Sequence, residues 1–190
     1  VQSTKSKIFV VGGLLYGDEG KGTTVEYLFD HYKEKSKLVV RYCGGPQAAH
    51  HIVLTNGKWH CFSQFGSASF ESNCITLLSK YMVISPTSLV GEEEALMSKK
   101  CKKIRERVLI DKDCFIVTPY HKMLNRISES LLGSKSHGST GQGVGICFEE
   151  AYNSHPDHFP SRCSKDLNPI EEGFKYTCLQ AKDLLLPKNE

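Results

Sequence analysis

Long apolar runs are missing from this 190-residue sequence. None approaches the roughly 18 apolar residues of a membrane-spanning helix, so no membrane partner is expected. No charged-then-apolar leader opens the chain; its start at valine fits processing or trimming. Paired cysteine spacing is also missing. Eight cysteines, at 43, 61, 74, 101, 114, 147, 163 and 178, are scattered without a C-x-x-C. This argues against a zinc site and against a disulfide framework. Several sit in apolar runs such as "CFIV", where a free cysteine behaves as a small hydrophobe. An intracellular, reducing compartment is expected, cytoplasm ahead of an organelle. Charge of one sign is not in excess: 24 Lys+Arg against 21 Asp+Glu leave +3. So mild a balance does not call for nucleic acid. One basic run, "KKCKKIRER" at 99–107, reads as a solvated helix face, with a phosphate or RNA patch as the alternative. Internal repeats and low-complexity tracts are absent.

What is present is an ordinary globular balance, 39% hydrophobic and 24% charged, in a chain long enough for one domain with a real core. "KIFVV", Lys7–Val11, reads as a buried strand entering a glycine turn. "KGTTVEYLFDHYKEK" reads as a helix with Val25, Leu28 and Phe29 on one face. "KLVVRY" is the next strand, which makes β-loop-α-β and predicts an α/β fold with a right-handed crossover. "HIVLTNGKWHCF" is a hairpin about Asn56–Gly57. "NCITLL" and "KYMVI" read as one strand or a pair. Pro86 opens a helix with acids Glu92–Glu94 early. "RVLIDKDCFIVTPYH" gives two short strands. "PYHKMLNRISESLLG" is a helix between proline and glycine, and "GSTGQGVG" is a glycine loop before "ICFEEAY". After Asn153 the text turns loop-like, with a last apolar stretch, "FKYTCLQAKDLLLP", as strand then turn. Residues 1–152 are expected to form one domain, with 153–190 as a divergent segment packing on it.

Three loops suit chemistry. In "GLLYGDEGKGTT", Gly13–Thr24, the strand-turn-helix placement offers free N–H groups and a positive dipole end to an anion, and Lys21 adds charge. It is not a Walker A pattern, since Leu15 holds the first glycine position and Gly22 replaces Ser/Thr. Asp18 and Glu19 stand inside this cradle. Asp18 can hold Mg²⁺ or act as a base beside a phosphoryl group; alternatively the acids cap the helix. "CGGPQAAHH", Cys43–His51, lies at the carboxyl edge of the sheet, where open α/β sheets bind ligands. There His50 or His51 is either a phosphate contact or acid, or a structural histidine. In "GSTGQGVG", Ser139 and Thr140 with backbone N–H groups suit a phosphate monoester; the alternative is a plain flexible turn.

Taken together these stretches resemble the adenylosuccinate synthetase family. "FVVGGLLYGDEGKG" matches its V-V-x-G strand and G-D-E-G-K-G loop. "VRYCGGPQAAHH" is in register with V-R-F-x-G-G-x-N-A-G-H-T, and "NGK", "SPTSL", "PYHKMLN" and "GSTGQGVG" follow in the family's order. The match runs from about Lys7 to Glu150. A fainter likeness joins "YTCLQAKDLLL" to a downstream F-E-G-A-Q-G-x-L-L-D segment. The resemblance implies a mostly parallel sheet flanked by helices, P-loop-NTPase-like. It implies GTP, IMP and L-aspartate as substrates, Mg²⁺ as cofactor, and a homodimer or a place in a larger complex.

It also implies roles. Asp18 takes the N1 proton of IMP and touches Mg²⁺, with the Ala49 carbonyl as a second metal contact. His50 stabilises charge developing on the leaving phosphate, acting as an acid. Lys21 assists catalysis and holds phosphate with Gly17, Glu19, Gly20, Gly22 and Thr23. Gln47, Ser139 and Thr140 complete the nucleotide contacts. Departures from the pattern are Leu15–Tyr16 for Gln–Trp, Gln47 for asparagine, Ala49 for glycine, His51 for threonine and Gln142 for arginine. Near Ser154 a further arginine of the family is missing. The family's aspartate-binding loop and guanine-recognition acid are not found in these residues. A pseudoenzyme that keeps nucleotide binding, and an unrelated GTP-binding protein, are the competing readings.

Overall fold

The computed structural model describes residues 7–15, 17–33, 35, 37–153 and 177–178. Its centre is a parallel sheet built on one long strand. β1 (Leu38–Gly44) and β4 (Ile75–Ile84) pair in parallel, Leu38 opposite Ile75 and Arg41 opposite Leu78. Between them in sequence, β2 (His50–Val53) and β3 (Trp59–Phe62) form a separate antiparallel hairpin. On the other side of β4 lie β5 (Val108–Ile110) against Thr76–Leu78 and β6 (Phe115–Ile116) against Val83–Ile84, both parallel. β7 (Thr177–Cys178) extends the sheet along β5. Four helices accompany it: α1 (Lys21–His31), α2 (Pro86–Ser98), α3 (Pro119–Leu132) and α4 (Val144–Asn153).

β4 is buried on both faces at its two ends, as expected of the middle strand of a parallel sheet. The stretch read as one strand or a pair is one strand, which pairs with β1 along most of its length. The largest cluster packs α2 and the hairpin on this strand through Ile52, Phe62, Phe65, Leu78, Leu89 and Leu96. Phe62 and Phe65 have no exposure, and each contributes about 1.5–3 kcal/mol by leaving water. A second cluster seats Phe29 and Val25 of α1 on Val39, Ala68 and Cys74. The third seats Cys147 and Val144 of α4 on Val83 and Val117.

The helix starts follow the predicted chemistry. Ser85 caps α2 by accepting the Ser88 N–H, with Pro86 in the first turn. Thr118 caps α3 in a reciprocal box with His121: the Thr118 N–H donates to His121 Nδ1 at 3.0 Å. That bond leaves Nε2 to carry the ring proton toward Glu150 on α4. The hairpin turn places Gly57 at φ +79, and the Asn56 side chain accepts the Lys58 N–H.

Three expectations are corrected. Residues 7–11 form no strand: Ile8 is 85% and Val10 91% exposed, while Phe9 stacks on Tyr32 at the end of α1. The outer edge of β1 carries no strand among the described residues; the run instead follows the end of α1, where Phe9 meets Tyr32. Glu92 and Glu93 sit mid-helix and are buried, because α2 turns that face to the sheet. The basic run is not a solvated helix. Cys101 and Ile104 are core residues, Arg105 pairs with Glu93, and Arg107 donates to the carbonyls of Ser69, Glu71 and Cys74. The loop-like text from Ser154 and most of the last apolar stretch lie outside the described residues; Thr177–Cys178 within it is extended, in β7.

Candidate active site

The first loop is built on unusual backbone. Gly17 has φ +125, Asp18 +51 and Gly20 +68, and Gly20 is the cap residue of α1 with no side-chain bond. Neither Asp18 nor Glu19 therefore caps the helix. Left-handed backbone at a non-glycine costs about 1–2 kcal/mol, so Asp18 is held at some expense, with its side chain exposed. Its carboxylate makes no hydrogen bond among the described residues.

Glu19 does the opposite. The N–H groups of Leu14 and Leu15 donate to its Oε1 at 2.7 and 2.8 Å, and the Lys21 ammonium donates to Oε2 at 2.7 Å. These bonds, the lysine first, hold the Glu19 carboxyl below the usual range. The cradle's donors thus already face an anion, and it is the loop's own. A Cβ at Gly13 would lie 2.0 Å from Glu19 Oε2, so a side chain there would displace the Glu19 carboxylate from its place.

The second loop meets the first at Gly22. A Cβ there would stand 2.8 Å from His50 Cβ and 3.2 Å from Ser67 Oγ, so the absence of a side chain lets the α1 N-terminus close on His50. The Thr23 hydroxyl donates to the His51 carbonyl at 3.4 Å. Burial pushes the His50 pKa down, the charges of Arg41 and Lys21 push it further, and Glu92 opposes them. His50 is therefore neutral at pH 7 and favours its charged form only when an anion arrives. His51 is exposed and stacks on Trp59.

The sign for stability follows. The unfolded chain binds a proton at His50 more readily than the folded one, so His50 costs stability as pH falls through its ordinary 6.5. The melting midpoint should drop between pH 7.5 and 5.5, and His50→Gln should flatten part of that slope. An unchanged slope in the variant would refute the assignment.

Beneath this pair lie residues that the sequence reading did not single out. Arg41 is buried, its Nη1 donating to the Phe65 carbonyl at 3.2 Å. Burial lowers its pKa and the Glu92 charge opposes that. Glu92 accepts the N–H groups of Ser63 and Gln64, at 2.9 and 2.7 Å, and the Ser63 hydroxyl at 2.8 Å. Both left a signal: a cation on the same inward face of β1 as Val39, and acids at helical spacing between Leu89 and Leu96.

The third loop joins through its ends. Val144 Cγ2 and the Gln47 side chain both approach Gly45, at 3.1 and 2.7 Å from a Cβ built there. Ser139 and Thr140 are exposed and tied to α3: Asn125 Nδ2 donates to Ser139 Oγ at 3.0 Å, and the Gly143 N–H donates to Asn125 Oδ1 at 3.1 Å. Ala49 and Gln47 are exposed on the second loop. The first and second loops are thus in direct contact, and the third meets the second at Gly45.

A family model described as adenylosuccinate synthetase matches residues 10–158. The chain belongs to the adenylosuccinate synthetase family. It is 38% identical over 144 residues to the adenylosuccinate synthetase of Histophilus somni, covering 76% of this chain and 32% of that protein. The Haemophilus influenzae synthetase is 37% identical over the same shares. The chain thus spans about a third of the length of these curated relatives. Among solved structures, a fully ligated adenylosuccinate synthetase from Plasmodium falciparum superposes with a TM-score of 0.62 at 29% identity, covering 71% of this chain and 30% of that one. The succinoaminodeoxyadenylate synthetase of cyanophage S-2L, bound to dGMP and dATP, shares the fold with a TM-score of 0.60 at 20% identity, over 80% and 39%. The α/β architecture with a parallel sheet flanked by helices is that of this synthetase family.

Proposed function

We propose that this chain carries the nucleotide-activating part of the adenylosuccinate synthetase reaction. In that reaction GTP phosphorylates the 6-oxygen of IMP, and the amine of L-aspartate then displaces the phosphate at C6. The observation that carries the reading is the closure of Gly22 on His50, which sets the first loop against a neutral imidazole. Asp18, exposed and without a hydrogen-bond partner among the described residues, accepts the N1 proton of IMP. The 6-oxygen attacks the γ-phosphorus and GDP leaves. His50 donates a hydrogen bond to the phosphate and so stabilises the charge that builds there, and Lys21 turns from Glu19 to the phosphates. Gly17, Gly20, Gly22 and Thr23 line the approach.

Among the described residues no three His, Cys, Asp or Glu side chains form a metal cage. A magnesium ion bound chiefly through phosphate oxygens needs only one or two protein ligands, and the free Asp18 carboxylate with the Ala49 carbonyl fits that demand. When bound, the ion neutralises charge on the phosphates.

A second reading is that the chain binds nucleotide within a homodimer or larger complex without turning over by itself. Exposed Val40, Tyr42 and Tyr81 on the edge strand and its neighbour supply the apolar surface such an assembly would cover.

Calorimetry decides. Mg²⁺–GTP with IMP should bind, and Asp18→Asn should weaken binding at least about tenfold, one lost charge-assisted contact. No binding by either protein would sink both readings. Binding with adenylosuccinate formation from added L-aspartate would favour the first reading, and binding without it the second.

A further inference from the structure

The stretch Ser85-Pro86-Thr87-Ser88 opens α2 with more hydroxyl than a cap needs. Ser85 alone supplies the cap by accepting the Ser88 N–H. Its backbone is pinned by the buried Gln64: the Ser85 N–H donates to Gln64 Oε1 at 2.8 Å, and Gln64 Nε2 donates to the Ser85 carbonyl at 3.1 Å. The Ser88 hydroxyl is not used by the helix and lies 2.9 Å from Ser85 Oγ. Lys122, in the first turn of α3, completes the group. Its Nζ stands 2.9 Å from Ser85 Oγ and 3.1 Å from Ser88 Oγ. The three side chains thus close a triangle between two helix starts that are themselves fixed, α2 by Gln64 and α3 by the Thr118–His121 box.

An amine that meets hydroxyls and no carboxylate can serve a serine as its base, provided it can shed its proton. Burial lowers the Lys122 pKa, and the charge of Arg126, four residues on, lowers it further. Access separates the two serines. Ser85 has no exposure, whereas Ser88 is half-buried. Gly91, one turn beyond Ser88, keeps that side of α2 open, since a Cβ there would meet nothing within 4 Å. Pro86 holds the first helical position, so the Thr87 N–H is the first donor of α2, at an end that favours negative charge.

We propose that Ser88, with Lys122 as its general base, is an acyl-accepting nucleophile, which gives the chain an ester-hydrolysing site at the start of α2 that the nucleotide reading does not call for. Ser88 Oγ bonds to the acyl carbon as its proton passes to Lys122 Nζ. Lys122 returns that proton to the leaving alkoxide oxygen as the C–O bond of the substrate breaks. Water then cleaves the acyl-serine by the same route and restores the Ser88 hydroxyl. Charge developing on the carbonyl oxygen is met by the α2 N-terminus.

The test is reaction of the whole 190-residue chain with an alkyl fluorophosphonate, from which a serine nucleophile displaces fluoride, followed by peptide mass spectrometry. The phosphonyl group should map to Ser88. Ser88→Ala and Lys122→Met should each slow labelling by at least about a hundredfold. Lys122→Arg separates a base from a scaffold: arginine can donate to both hydroxyls but stays charged, so it should be as slow as Lys122→Met. Hydrolysis of a short-chain nitrophenyl ester should follow the same order. A wild-type chain that is not labelled, or is labelled at another serine, overturns the proposal whatever the variants do. Labelling at Ser88 that persists in Lys122→Met, or returns in Lys122→Arg, overturns the role of Lys122 and the site with it. Unchanged melting of Lys122→Arg checks that its loss is chemical.

Discussion

Replacing Glu92 with alanine is expected to remove about 3–5 kcal/mol of stability, the scale for breaking one side of a buried charged network. Its carboxylate receives the N–H groups of Ser63 and Gln64 and the Ser63 hydroxyl, in a segment whose neighbours Phe65 and Gln64 have no exposure. Alanine would strand those donors and leave the buried Arg41 without the charge that offsets it. Glu92→Gln keeps an oxygen for part of the set and should cost less. With a whole domain holding only about 5–15 kcal/mol, the alanine variant stands near the edge of folding. Urea titration at pH 7.5 reads the difference; a loss under about 1 kcal/mol would refute the role of Glu92 as the anchor of this segment. His50 should feel the change too, since Glu92 is the group that opposes the downward pull on its pKa.

Gly143→Ala comes next in size. A methyl there would lie 2.6 Å from the His121 carbonyl carbon, 2.7 Å from the Lys122 nitrogen and 2.8 Å from the His121 oxygen. All three are backbone atoms, so no side chain can swing aside. The residue also sits at φ +74, which costs an L side chain about 1–2 kcal/mol before any clash. Overpacking adds about 1–3 kcal/mol, giving about 2–5 kcal/mol together. Gly145, two residues on and within α4, has nothing within 4 Å of its Cβ. Gly145→Ala should be neutral or gain up to about 1 kcal/mol from helix propensity. Equal melting temperatures for the two variants would refute the close seating of the loop on α3.

Much of this was legible in the residues. Strong local chemistry carried the helix starts at Pro86 and Pro119, the Asn56–Gly57 turn and the glycine loop before α4. Composition also marked the buried cysteines: Cys74 and Cys147 lie in the core, and burial pushes their thiols up to about 12 and about 11. What failed was whatever depends on partners distant in sequence. "KIFVV" has every local mark of a strand, but its backbone joins no ladder among the described residues, and Phe9 packs on Tyr32 instead. "KKCKKIRER" reads as a solvated face until Glu93 and the carbonyls of Ser69, Glu71 and Cys74 claim its arginines. For the site, the glycine loops announced themselves, because positive φ and close approach admit few other residues. Arg41 and Glu92 did not, since a lone charge on a strand or helix has the same spelling whether it faces water or a buried loop.

On the proposed reading, the bonds that Glu19 makes to Leu14, Leu15 and Lys21 change what nucleotide binding would mean here. Entry of a phosphate is a substitution, in which one anion leaves as another takes its donors. The occupant is tethered, so it competes at a fixed high effective concentration however dilute the protein. A lone small anion at low concentration is a poor rival for it, whereas a polyphosphate with its divalent ion brings several contacts at once. Selectivity for the energy-rich ligand over loose phosphate is then a property of the resident competitor as well as of the pocket walls.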